Sequence, residues 1–196
     1  CSITYQHTCH ICGKESFSSL VHKDCQSYTY LDGVIHPIRF ELKVQSVIRM
    51  GKYEGVYTVF SDFGEIISEF LEREYPFIIE NAICTYVPLH IEKYFFRGFN
   101  QAKILAKAVS SRNCIPLVNA IKRNSFTDTQ TLKTREERMQ NMRNVFEARY
   151  KSGYSKKRVI IFDDVYTTGA TLNACAKILK EEYKFQEVYG VVIARV

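Results

Sequence analysis

A chain of 196 residues, 46% hydrophobic and 24% charged, has the size and composition of one globular domain with room for a small appendage. No run of eighteen or more apolar residues occurs, which argues against a membrane-spanning helix, and no secretory signal pattern is visible, so a cytoplasmic protein is expected. The net charge of +6 permits phosphate-rich partners without requiring them.

The first thirty residues are polar and lack aliphatic periodicity, but they hold a cysteine cluster. "CHICGKESFSSLVHKDC" gives Cys9-x2-Cys12 and then His22-x2-Cys25, two knuckles at a spacing suited to tetrahedral Zn²⁺ in a structural ribbon. Cys1 is the rival to His22 as fourth ligand, and His10, between two ligands, is expected to be exposed. An odd total of seven cysteines with a local cluster points to metal in a reducing compartment rather than to disulfides. Cys84, Cys114 and Cys175 lie in apolar contexts and are expected in the core.

"DGVIHPIRFE" reads as extended chain, and "LKVQSVIRMGKYEG" places Leu42, Val47, Ile48 and Met50 at helical spacing with Gly51 as the stop. "YTVFSDFGEIISEFLERE" is an amphipathic helix built on Phe60, Phe63, Ile66, Ile67, Phe70 and Leu71. "AICTYVP" is a buried strand. "NQAKILAKAVSSR" is a helix, and "IPLVNAIKR" is strand or extended chain. Ahead of that helix, "FFRGFNQ" reads as a helix start, with Asn100 near the cap and Phe95, Phe96 and Phe99 in the core. Residues 124–144 are charged and nearly without core positions. A strand-helix-strand unit, Arg158 to Asp164, Ala170 to Glu182 and Glu187 to Arg195, closes the chain. Alternating strands and helices predict an α/β fold with a mostly parallel sheet covered on both faces.

The chemistry concentrates in "VIIFDDVYTTGAT". A strand without polar alternation ends on Asp163 and Asp164, at the carboxyl edge where ligands sit in such folds. Val165, Thr167, Thr168, Gly169, Ala170 and Thr171 then form a turn into a helix. The hydroxyls, the unpaired amides of the helix start and the missing Cβ at Gly169 make a monophosphate cradle. Two carboxylates beside a phosphate site suit a diol, or a Mg²⁺ held through water. A 5-phosphoribosyl group carries both a phosphate and a diol at that separation. A simple helix N-cap explains one threonine and one acid but leaves the rest of the stretch unexplained.

This stretch resembles the phosphoribosyl-pyrophosphate (PRPP) motif of type I phosphoribosyltransferases, and within them the ComF/GntX-like family. "VPLHIEKYFFRGFNQAKILAKAV", "TDTQTLKTREERMQNMRNVF" and the cysteine cluster resemble further segments of that family, in its order. The resemblance implies a type I phosphoribosyltransferase fold over residues 31–196, a zinc ribbon over residues 1–30, and Asp163 and Asp164 as catalytic groups on the ribose. It places Pro88, Leu89, Arg97, Asn100 and Gln101 at the pyrophosphate end, and Gln130, Arg138 and Asn141 on a mobile lid at about 123–144. The same 124–144 stretch reads equally as a solvated charged helix. Where relatives commonly carry arginines before Gly-Phe-Asn-Gln, this chain has Tyr94, Phe95 and Phe96, so contacts to pyrophosphate or nucleic acid from this turn are expected to be weaker.

By the same resemblance, the function is competence, DNA uptake or DNA processing, with PRPP, single-stranded DNA and a helicase-like ATPase as partners. Transfer of a phosphoribosyl group with release of pyrophosphate is the enzymatic reading. A PRPP sensor or single-stranded DNA-binding module is the non-catalytic one, and nucleobase salvage is a third.

Overall fold

A computed structural model of the chain describes residues 7–124, 145–150 and 158–196. Four parallel strands form the central sheet in the order β1 (Gly33–Ile35), β8 (Glu187–Val191), β6 (Arg158–Phe162), β3 (Ala82–Tyr86). The backbone at Cys84 also bonds to Pro116 and Val118, which extends the sheet past β3. A parallel pair needs a crossover, and helices supply it on both faces.

Side-chain alternation divides the two cores. From β6, Ile160 and Phe162 point into a layer made with α1 (Leu42–Tyr53), α2 (Val59–Glu74) and α5 (Gln101–Arg112); Val159 and Ile161 point into the layer under α6 (Ala170–Glu181). The strand carries no polar alternation because both sides are covered. The expected terminal strand is two pieces, β8 and β9 (Ala194–Arg195). β9 lies between β2 (Ile38–Arg39) and β7 (Val165–Tyr166) in a second parallel sheet, so the end of the chain sits against the acid-and-threonine stretch. An antiparallel pair, β4 (Ile121–Arg123) with β5 (Phe146–Ala148), flanks the stretch expected as a lid, whose residues 125–144 lie outside the described set.

Several expectations are corrected. Helix α1 runs through Gly51 to Tyr53. Gly51 is a contact glycine, since a Cβ there would sit 2.7 Å from the Phe60 ring, and the chain turns at Gly55, with φ +78°. On α1 only Ile48 among the four expected apolar positions is fully buried; Leu42 and Met50 are exposed. Ile66 of α2 faces solvent, and so does Cys114, which sits in a left-handed turn after α5. Phe95 and Phe96 are 80% and 79% exposed, because the short helix α4 (Ile91–Arg97) has no layer above it to receive them; Phe99 alone packs against the core.

Candidate functional site

Strand β6 ends at Phe162, and its ladder delivers Asp163 and Asp164 to the carboxyl edge of the sheet. Backbone bonds from Asp163 N to Val191 O and from Ile193 N to Asp164 O hold both residues in place. Asp164 is 6% exposed, yet every side-chain oxygen has a donor. Its Oδ1 accepts from Val165 N at 2.9 Å; Oδ2 accepts from Gln101 Nε2 at 3.2 Å and forms an ion pair with Lys52. Asp163 keeps part of its surface open, and its Oδ1 accepts from Asp164 N. Burial, and then the charge of Asp164, push the Asp163 carboxyl well above the usual aspartate range.

The Arg97–Gln101 block converges on the same acids. Asn100 caps α5 by accepting from Lys103 N, and its amide donates to Val87 O, pinning the turn that carries Pro88 and Leu89. Gln101 is buried against Asp164. Arg97 donates to Gln101 Oε1 at 3.4 Å and to Tyr53 Oη at 3.0 Å, with its guanidinium 4.9 Å from the Tyr53 ring centre. Asn100 and Gln101 therefore brace the acids, and Arg97 ties Gln101 to Tyr53. Gln130, Arg138 and Asn141 lie outside the described residues.

After β7, Thr167 and Thr168 are exposed and the backbone turns at Gly169, with φ +73°. That glycine has a second reason: a Cβ would lie 2.2 Å from Tyr166 Oη. Gly169 is the N-cap of α6 and supplies no side-chain cap; Thr168 Oγ1 accepts weakly from Ala170 N at 3.4 Å. The first-turn amides lack intrahelical acceptors, and Thr167, Thr168 and Thr171 beside them are exposed. Such a turn can take one monophosphate.

Lys52, Arg49 and Tyr53 belong to no motif in the sequence. With Phe40, Gln45, Val165, Thr167 and Val196 they line a cavity of about 450 Å³ beside the acids. The sequence signal available for them was slight: cations Arg49 and Lys52 one turn apart on a weakly apolar helix.

In the amino-terminal segment the ligand atoms of Cys9, Cys12, His22 and Cys25 lie within 4.8 Å of one another. His22 turns Nδ1 to Cys12 Sγ and donates from Nε2 to Glu15 O at 3.0 Å, the outer-shell bond that orients a metal-binding imidazole. Burial opposes ionisation of Cys9, but amides of Cys12, His22 and Ile11 and the Cys12 thiol together bring its thiol down to about 6. This donor set fits Zn²⁺. His10 is not exposed as expected: it is 5% exposed, its ring packed edge-on to Tyr166 at 5.8 Å and Nε2 3.3 Å from Thr29 Oγ1. Burial, and then Arg195, lower it to about 4, so the ring is neutral. The Thr29 hydroxyl donates to Asn173, which leaves Nε2–H as the donor of the His10 contact.

No protein-family model matches the chain. Among curated proteins it is similar to Competence protein F of Haemophilus influenzae, 40% identical over 97 residues, which cover 48% of this chain and 42% of that one. It is also similar to Competence protein ComFC of Bacillus subtilis, 26% identical over 206 residues, covering 96% of this chain and 78% of that protein. The chain thus spans under half the length of the first relative and about three-quarters of the second. Among solved structures, one described as the allosteric regulatory enzyme of purine biosynthesis overlaps 70% of this chain and 26% of its own, at 18% identity and a TM-score of 0.49. Among the described residues no helix is long and apolar enough to cross a membrane.

Proposed function

We propose that this relative of the ComF and ComFC competence proteins binds PRPP and transfers its phosphoribosyl group, in the service of DNA uptake or processing. The observation that supports the reading is that two adjacent acids and a threonine-rich turn into a helix occupy nine consecutive residues, Asp163 to Thr171, at one sheet edge. The amides and hydroxyls of Thr167 to Thr171 take the 5-phosphate. Asp163 and Asp164 accept from the ribose hydroxyls and lower the energy of positive charge developing on the ring. The bond from C1 to pyrophosphate oxygen breaks with its electron pair leaving on pyrophosphate, and an acceptor nitrogen bonds to C1 and loses its proton. Lys52 and Arg49, which line the cavity, supply cations for the leaving anion, with Arg97 behind them on the Tyr53 hydroxyl. The oxygen-only donors of the acid pair suit a Mg²⁺ carried by PRPP, which would neutralise pyrophosphate charge. Zn²⁺ in the four-ligand cluster is structural in this reading.

A second reading, handling of single-stranded DNA, has its own observation. Phe95 and Phe96 are bare to solvent between Lys93 and Arg97, an arrangement on which bases can stack beside neutralised phosphates. Titration of PRPP and Mg²⁺ into wild type and into Asp163→Asn/Asp164→Asn tests the first reading. Affinity is expected to fall at least about a hundredfold, the loss of two charge-assisted hydrogen-bond acceptors, with the fold intact by circular dichroism. Equal affinity in both proteins refutes it. Pyrophosphate release in the presence of candidate amines separates turnover from sensing.

A further inference from the structure

The cysteine ribbon and the phosphate turn, at opposite ends of the sequence, touch at two points. The first runs through His10, which sits between the ligands Cys9 and Cys12. Its ring lies edge-on to Tyr166, its carbonyl accepts from Arg195 Nη2 at 3.2 Å, and Arg195 in turn covers the Tyr166 ring at 5.5 Å. The Tyr166 hydroxyl is packed under Gly169, where no Cβ fits. The second runs through Thr29 and Tyr30, just beyond Cys25. The Thr29 hydroxyl and the Tyr30 amide both donate to Asn173 Oδ1, at 3.0 and 2.7 Å, and Asn173 N donates to Gly169 O at 2.8 Å. One contact supports the turn from below and the other from its helix side, and both end on Gly169.

We infer that His10, Tyr166 and Asn173 are positioning residues through which the metal-bound ribbon fixes the shape of the phosphate turn, so that metal loading and sugar-phosphate affinity are linked. The phosphate half of this inference rests on the function proposed above; the mechanical half does not. Closed around Zn²⁺, the knuckle holds residues 9–12 in one arrangement and presses the His10 ring onto Tyr166. Opened, it releases that ring and the Thr29–Tyr30 segment together, and Gly169 loses both supports. Linkage is reciprocal, so a bound sugar phosphate also tightens the metal.

Hydrogen exchange on the full chain, zinc-loaded against chelated, reads the mechanical half without any ligand. Amides of residues 166–173 are expected to exchange roughly tenfold faster or more after chelation, a local opening, while β6 amides stay protected. Unchanged exchange over 166–173 overturns the inference. Should chelation also free β6, His10→Gly decides, since it leaves all four ligands in place. With full zinc content by elemental analysis, it should still loosen 166–173 and weaken ribose 5-phosphate about tenfold. A His10→Gly protein with wild-type zinc, wild-type exchange and wild-type affinity sinks the linkage. Zinc-dependent exchange with no ribose 5-phosphate binding in either metal state leaves the mechanical link standing and overturns the phosphoribosyl reading instead.

Discussion

The two ends of the candidate site are built in different ways. The turn proposed for phosphate is local in sequence: Val165 to Thr171 are consecutive, and a glycine with positive φ followed by a helix start gives it its outline. The acid end is assembled from afar, Lys52 from α1, Gln101 from α5 and the aspartates from the end of β6, with Arg97 and Tyr53 one bond further out. Local geometry can be written in a motif. Long-range polar pairing depends on how three separate elements pack, and it is where a single substitution should do the most damage.

The largest expected effect on stability is at Lys52. Changing Lys52→Met strips the cation from a nearly buried carboxylate and should cost about 3 kcal/mol by denaturant unfolding. Adding Asp164→Asn should return much of that loss, because the two residues act as one unit. An additive double mutant would mean that the pair is not coupled and that the contrast between the two ends is false.

Gly169→Ala should cost about 1–3 kcal/mol, from a left-handed backbone and a clash with Tyr166, and should weaken phosphate-containing ligands more than a plain diol. If ribose and ribose 5-phosphate were affected alike, the turn would not be the phosphate end.

Asp163→Asn alone should stabilise the free protein by about 1 kcal/mol at neutral pH while weakening PRPP, the trade seen where a site holds charge for function. The sign follows from the raised folded-state value: the folded chain binds the proton more tightly than the unfolded chain. The group's contribution is therefore full at acid pH, below the ordinary aspartate range, and is lost as pH rises through the folded value. Asparagine should remove that loss, so the stability difference between wild type and variant should grow from acid to neutral pH. A flat difference would contradict the assignment.

Smallest of all is Phe95→Ser/Phe96→Ser, expected within about 0.5 kcal/mol of wild type because both rings are already in water. A large loss of stability would place those rings in an interface. A loss of single-stranded DNA binding alone would support the stacking reading.

The sequence by itself determined the alternating α/β plan, the acid pair at a strand's carboxyl edge, the threonine turn and a Cys9-Cys12-Cys25 cluster with His22 or Cys1, which lies outside the described residues, as its fourth member. Each is a pattern of neighbours: an unbroken apolar strand, a Gly at a helix start, paired ligands two residues apart. Only the tertiary structure decided that Lys52 answers Asp164, that Asn100 and Gln101 brace the site, and that Gly51 is a contact rather than a stop. It also decided that His10 is buried on Tyr166 and that Phe95 and Phe96 are bare. Those facts depend on which surface meets which across distant stretches of chain, and helix or strand periodicity records that a residue has a face without saying what lies opposite it.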